Sequence, residues 1–560
     1  MGRRLVALCV PLALLAGCTN APPPPLVTTP VASTTPNRPV NKGEVVVGVD
    51  NLAGGFNPHK LADQSPVTTA LANLLLPSVF RPAPDGTPQL DTTLMVAAEV
   101  TKSDPYTVVY QIRPEASWAD NAPIAAEDFV YLWQQLRNAS DSIHGAGYRL
   151  ISAITARDAG KTVEVTFAKP YPGWRSLWSG LVPAHLLKDA PGGWANALHD
   201  SFPTTGGPFS MKSLDRDRGE IVLERNDRYW EQPPAPDRIV LRRADEPDMI
   251  NALAAGHDQL SLTDLSAVGA NRFRELSQPL TVSMVPRSAV VTLLLRPVGP
   301  DLSTQGVRLG ILALLDREPL ITIGTGNGPA SALVANDQVL PPSVPGYVST
   351  IPSTRSPAKS DPEQAVQLLS DAGYLKTAGV WTKAGHPLSL VIAAPAERPA
   401  YQQIANEVSR QLTAEGVQTK VVSPPSNELI TQLSAQQQAN AEQINLVVTA
   451  QPVGGDPATV MATNFGCVSK SDSSTSVPLS SIGSCDPAIQ PTIDAALTGA
   501  VSLADALSTV EPAIWRQAVN LPLYQEAESL AIRPEMSGVT VGPPLAGPFA
   551  GAPGWRRAVP

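Results

Sequence analysis

Apolar and polar positions along this chain switch between two periods over several hundred residues. Glu44-Val45-Val46-Val47-Gly48-Val49 is an almost continuous apolar run of strand length, which predicts a buried opening strand. From Thr162 to Phe167, Val163, Val165 and Phe167 alternate with Thr162, Glu164 and Thr166, the period of a half-buried strand. Between them, Glu127 to Arg137 sets Phe129, Val130, Trp133 and Leu136 at helical spacing. A further helix start is written in Asp361-Pro362-Glu363: a capping side chain, a proline at the first helical position and an acid in the first turn. Val366, Leu368 and Leu369 follow, and Gly373 suits a left-handed C-terminal cap. Strands interleaved with helices over this length predict α/β domains rather than bundles or sandwiches, and no repeat of fixed period is visible.

The first forty residues follow neither period. Arg3 and Arg4 precede a stretch from Leu5 to Ala16 that is apolar apart from Pro11, and Leu15-Ala16-Gly17-Cys18 closes it. That order predicts a secretory signal over residues 1–17, too short for a permanent membrane span. Its ending resembles a bacterial lipobox, which implies lipid modification at Cys18 and attachment to the outer face of the cell membrane. Residues 18–43 hold Pro22 to Pro25, then Pro30, Pro36 and Pro39 among Thr, Ser, Val and Ala, with no apolar period to build a core. Proline-rich chain of about 3.1 Å per residue makes this a spacer reaching roughly 70 Å.

The remainder is too long for one core and predicts two or more domains. With 41 Lys and Arg against 50 Asp and Glu, the net charge of −9 and the lack of a basic cluster argue against nucleic acid as a partner. Of four cysteines, Cys9 falls in the signal and Cys18 is the lipid site. Cys467 and Cys485 remain, and an even pair in an oxidising compartment predicts a disulfide. A metal site is the alternative reading, but no histidine lies near either cysteine.

Several segments, taken in order, resemble the extracytoplasmic solute-binding proteins of family 5, the dipeptide and oligopeptide type. Asp50-Asn51 with Phe56-Asn57-Pro58 is similar to that family's first strand and loop. Ala125-Ala126-Glu127-Asp128-Phe129-Val130-Tyr131 resembles a helix start of the family. Thr204-Thr205-Gly206-Gly207-Pro208-Phe209, followed by Asn226-Asp227-Arg228-Tyr229-Trp230, resembles its most recognisable pair of motifs. Val307-Arg308-Leu309 to Leu315-Asp316-Arg317, and Gly455-Asp456-Pro457 before the cysteine pair, complete the series. Finer similarity points to a branch of mycobacterial lipoproteins associated with phosphatidylinositol mannoside and lipoarabinomannan synthesis.

The resemblance implies an α/β, two-lobed periplasmic-binding-protein-like fold of type II, cluster C, with an extra small domain. One lobe would combine residues 44–80, 205–290 and 520–560, the extra domain 81–204, and the other lobe 291–519. It implies a ligand in the cleft between lobes, lined by Phe56, Asn57, Gln451, Asp456 and Asn464. Peptide-binding relatives hold the peptide's ammonium with an aspartate just before the Asp-Pro segment, where this chain has Gln451. An amide there suits hydroxyl groups better than a buried ammonium. The partners implied are a glycolipid or an oligopeptide in the cleft, the membrane through the anchor, and glycolipid-assembly enzymes or an ABC permease.

The residues nominate no cofactor and no catalytic group. Ser356-Pro357-Ala358-Lys359 matches a Ser-x-x-Lys pattern but sits in a loop-like stretch, without Ser-Asp-Asn or Lys-Thr-Gly partners. The six histidines fall at no metal-ligand spacing, and Gly160-Lys161-Thr162 lacks the first glycine of a phosphate loop. Three readings stay open at this level: a tethered glycolipid-binding or regulatory protein, the receptor of a peptide importer, and an envelope hydrolase.

Overall fold

The run Glu44–Val49 forms the expected strand, and parallel pairing with Leu260–Thr263 on one side and Arg238–Arg243 on the other buries it on both edges. The computed structural model describes residues 43–277, 279–354, 357–435, 443–469 and 476–558. The signal segment, Cys18, the proline-rich spacer up to residue 42, and Ser356 of the Ser-x-x-Lys pattern lie outside the described residues.

One ten-stranded sheet organises the molecule. In spatial order its strands are Gln418–Val422, Ser389–Ala393, Leu446–Pro452, Thr281–Leu295, Asn520–Ile532, Leu260–Thr263, Glu44–Val49, Arg238–Arg243, Glu220–Arg225 and Phe209–Asp215. The two long central strands, Thr281–Leu295 and Asn520–Ile532, run antiparallel through both halves. Their pairing breaks between Pro286 and Val290, since proline has no N–H to give the ladder and the irregularity bends the ribbon there. On one side of that break Ala289 to Leu295 pairs with Leu446–Pro452; on the other, Ser529 to Ile532 pairs with Leu260–Thr263.

Each half has its own apolar core. The first joins Val45, Val47, Leu71 and Leu241 to the extra domain, whose four-stranded sheet contributes Val108, Tyr110, Val163 and Val165. The second gathers Val291, Leu293, Ile311, Ile404, Leu446 and Leu521. The helices Pro457–Phe465, Gln490–Leu497 and Leu503–Gln517 send Met461, Phe465, Ile493, Val510 and Ile514 into the first core, although they follow the strands of the second half in the chain. A disulfide joins Cys467 to Cys485 beside them.

Local readings held in kind and shifted in detail. The helix expected from Glu127 spans Ala126–Leu136 and buries Phe129, Leu132 and Leu136, with Val130 and Trp133 half-buried at its flanks. Asp361 caps Pro362–Asp371 by accepting from the N–H of Gln364, but the buried face is Ala365 and Leu369, and Val366 is 48% exposed. The glycine pair of the family motif is governed by close approach, not by unusual backbone angles. Neither Gly206 nor Gly207 takes a positive φ, and both N–H groups donate to the Leu75 carbonyl at 3.0 Å. A Cβ on Gly207 would stand 2.2 Å from the Leu74 carbonyl oxygen, which is backbone and cannot swing aside. Gly207→Ala is expected to lose about 2–3 kcal/mol in urea unfolding, while an unchanged midpoint would show that this crossing can relax.

Candidate ligand cavity between the two halves of the sheet

Charged residues interrupt both long central strands, and the sheet register brings them together. Arg287 lies within the break in one strand; Glu526 and Glu528 lie on the other, two residues apart and so on one face. Arg287 Nη1 donates to Glu526 Oε2 at 2.6 Å, and its Nε stands 3.8 Å from Glu528 Oε1. Tyr401, from the helix Pro399–Ala414, donates its hydroxyl to Glu526 Oε1. The end of the opening strand adds Asp50, which accepts from Thr263 Oγ1 at 2.6 Å and from the N–H of Asp264 at 2.7 Å.

These groups line a cavity of about 550 Å³, with walls from the first half (Asp50, Asp264), the second half (Arg398, Tyr401) and both central strands. That volume falls in the range of about 300–1,000 Å³ typical of small-ligand sites. A second space of about 490 Å³ continues outward past Gly54, Arg243 and Ser426. Two contacts hold the halves together across the opening: Asn51 Nδ2 donates to the Glu397 carbonyl at 3.0 Å, and Arg398 Nη2 donates to the Gln64 carbonyl.

Burial and crowding set the charge state of the cavity. Burial pushes Glu528 up to about 8, with Arg287 opposing and Asp50, Glu526 and Asp264 reinforcing. Burial, then the neighbouring Asp50 and Glu526, push Asp264 up to about 7. Asp50 also rises through burial, against its two hydrogen bonds. Glu526 goes the other way: burial would raise it, but Arg287, Arg398 and the Tyr401 hydroxyl together hold it below the ordinary glutamate value. Among the described residues no group of three or more His, Cys, Asp or Glu side chains is placed to hold a metal ion.

The five residues expected on the cleft stand outside this cavity. Phe56 is a core residue, 1% exposed, with the Arg216 guanidinium 5.5 Å from its ring centre. Asn57 is fully buried and folds its loop, accepting from the His59 N–H at 3.0 Å while its own N–H donates to Asp63 Oδ2. Gln451 sits opposite Val290 in the sheet, and its amide oxygen accepts from Asn520 Nδ2 at 3.0 Å. Asp456 caps the helix Pro457–Phe465, accepting from the N–H and the hydroxyl of Thr459 at 2.9 and 2.7 Å. Asn464 donates to the Pro452 carbonyl at 3.1 Å. None of the five lines the large cavity. The loop residues Asn51, Ala53 and Gly54 reach it in place of Phe56 and Asn57, and the amide of Gln451 is engaged by Asn520. The signal for this cavity's lining is charge inside apolar strands, in Val285-Pro286-Arg287 and Gln525-Glu526-Ala527-Glu528.

A two-lobed α/β fold about one shared sheet is the architecture that solved periplasmic binding proteins share with this chain. Residues 92–472 match the family described as "Bacterial extracellular solute-binding proteins, family 5 Middle", and the chain belongs to that family. It is 34% identical, over 92% of its length and 91% of the relative's, to the probable monoacyl phosphatidylinositol tetramannoside-binding protein LpqW of Mycobacterium tuberculosis (strain CDC 1551 / Oshkosh). It is 24% identical to the oligopeptide-binding protein OppA of Mycobacterium bovis over 62% of this chain and 58% of that one. Among solved structures, the periplasmic EDTA-binding protein EppA (TM-score 0.73, 24% identity, 92% of this chain and 96% of that one) shares the fold. So does the oligopeptide-binding protein AppA of Bacillus subtilis, with TM-score 0.73, 17% identity and coverage of 92% and 99%.

Proposed function

We propose that this chain is a binding lipoprotein, tethered through Cys18 to the outer face of the cell membrane, that holds the polar headgroup of an envelope glycolipid in its interlobe cavity. Its role would then lie in phosphatidylinositol mannoside and lipoarabinomannan assembly, by binding or regulation rather than catalysis. The observation that carries this reading is the surplus of acceptors in the cavity lining: Asp50, Asp63, Asp264, Glu397, Glu526 and Glu528 against Arg243, Arg287 and Arg398. Carboxylates accept from hydroxyl groups, and a sugar presents many. The likeness to LpqW along nearly the whole chain supports the same class of ligand. A volume near 550 Å³ suits one or two sugar rings, so the acyl chains and further sugars would stay outside.

A second reading, the receptor of an ABC peptide importer, is favoured by the charge of the same groups, since a peptide brings an ammonium. Native mass spectrometry of the protein purified from its own organism separates the two. The expected result is a co-purified mannosylated lipid; a co-purified peptide overturns the first reading and establishes the second.

A further inference from the structure

At the mouth of the cavity the two halves meet through contacts that protein groups make by themselves. From the first half the short turn Leu61–Asp63 reaches across, and its Leu61 and Ala62 pack against the second half's apolar cluster of Leu429, Ile430 and Leu433. Gln64, which ends that turn, offers its carbonyl to Arg398 Nη2, and Asn51 Nδ2 donates to the Glu397 carbonyl at 3.0 Å. Glu397 and Arg398 are consecutive, so one turn of the second half meets the first half twice.

Each side of this contact is held in shape from within its own half. The Glu397 carboxylate accepts from the N–H and the hydroxyl of Ser426, both at 3.0 Å, and the Ala396 N–H donates to the Pro424 carbonyl at 2.9 Å. Pro399 follows Arg398 at the start of its helix and restricts the backbone of the turn. Across the mouth, Gln64 Nε2 donates to the carbonyls of Pro58 and Lys60, each at 2.9 Å. Surfaces already shaped in this way lose little conformational freedom when they meet. Arg398 also reaches beyond the rim. Its guanidinium lies 5.9 Å from the Tyr401 ring centre and is close enough to Glu526 to help keep that carboxylate ionised, so the rim and the charged interior share a cation.

We propose that the turns at residues 61–64 and 397–398 are a clasp, pinned by Arg398, that closes the mouth of the cavity without help from a ligand. The contacts that make it join protein to protein, so closure does not have to be driven by ligand binding. The consequence for binding rests on the cavity being the ligand site. Entry then waits on the clasp, and the apparent affinity is the intrinsic one reduced by the fraction of molecules that stand open. Whatever loosens the clasp raises that fraction and loads the cavity.

Pulsed electron spin resonance between nitroxides on Asp217→Cys and Glu428→Cys, exposed positions on opposite halves, tests this in the full chain. The protein is first stripped of ligand by denaturation and refolding with its disulfide intact. The expected result for the doubly labelled parent is one short distance. Arg398→Met should add a longer one and raise the open-to-closed ratio about tenfold or more, as for any lost hydrogen bond from a charged donor. Arg398→Lys restores a cation and a donor and should recover most of the closed population. Arg410→Met, on the same helix but bonded to Glu407 within it, should leave the distance unchanged. A long or broad distance in the parent overturns the clasp, and so does an Arg398→Met distribution that matches the parent. Opening by Arg410→Met as wide as by Arg398→Met also overturns it, since net charge would then be the cause. Should Arg398→Met fail to fold, Asn51→Ala is judged by the same criterion. None of these outcomes bears on which ligand co-purifies, so the reading of the cavity stands or falls separately.

Discussion

Replacing Arg287 with methionine is expected to cost about 3–5 kcal/mol of stability at pH 7, seen as an earlier midpoint in urea unfolding. The side chain is 13% exposed and stands between Glu526 and Glu528, so its removal takes from the buried Glu526 carboxylate the cation that most opposes its burial, while Glu528 already holds its proton. Methionine fills most of the space, which confines the loss to electrostatics. The pH dependence gives the signature. Glu526 is held below its ordinary value with Arg287 as the largest opposing influence, so its contribution to stability is present above the unfolded value near 4.5 and fades as pH falls through the lower folded value. Without Arg287, Glu526 behaves as Glu528 does and takes up a proton. The gap between wild type and variant should therefore narrow as the pH is lowered from 7 to 4. A gap that stays constant over that range would mean that Arg287 acts by packing alone.

The second large effect runs in the opposite direction of pH. Glu511, on the helix Leu503–Gln517, and Asp337, on the long loop after residue 326, are 2% and 4% exposed. Glu511 accepts from the Gln338 N–H at 3.0 Å and from Thr350 Oγ1 at 2.7 Å. Asp337 accepts from the N–H groups of Val339 and Leu340 at 2.8 and 2.6 Å. Burial and the adjacent Asp337 push Glu511 well up, and one proton shared between the two carboxyls clips the loop to the helix. A carboxyl whose folded value is raised stabilises fully below its unfolded value and loses that contribution as pH climbs toward the folded one. Stability should thus fall from about pH 5 upward, with this group adding at most about 1.4 kcal/mol per pH unit. Glu511→Gln keeps an acceptor for Gln338 and brings a permanent donor for Asp337. It should match wild type near pH 5 and exceed it by about 2 kcal/mol or more at pH 9. Parallel profiles for the two proteins would remove the shared proton from consideration; because Asp264 and Glu528 titrate in both, the difference isolates Glu511.

Much of the scaffold was legible from the chain because its signals are local. The apolar run at Val45 to Val49, the alternation at Thr162 to Phe167 and the Asp361-Pro362 cap each depend on neighbours a few residues away. The order of the family motifs carried the two-lobed fold. The lining of the cavity was not legible in the same way. Asp50, Asp264, Arg287 and Glu526 come from four strand regions and meet only through the register of the central ribbon, which no local pattern encodes. Family motifs instead drew attention to Phe56, Asn57, Gln451 and Asn464, residues that hold the scaffold together. Charge within apolar strands was the better guide, since lysine, arginine and acids are seldom buried without a partner or a task.

The strand Asn520–Ile532 lies between Thr281–Leu295 and Leu260–Thr263, in the middle of the ten-stranded sheet, yet it is the last of the ten in chain order. During synthesis the edges of Thr281–Leu295 and Leu260–Thr263 that face each other therefore stay open until Asn520–Ile532 emerges. A nascent chain cannot complete its native sheet before that strand is made. The same geometry makes a late stop codon severe: a product ending before Asn520 would present two unpaired central edges and be drawn toward aggregation.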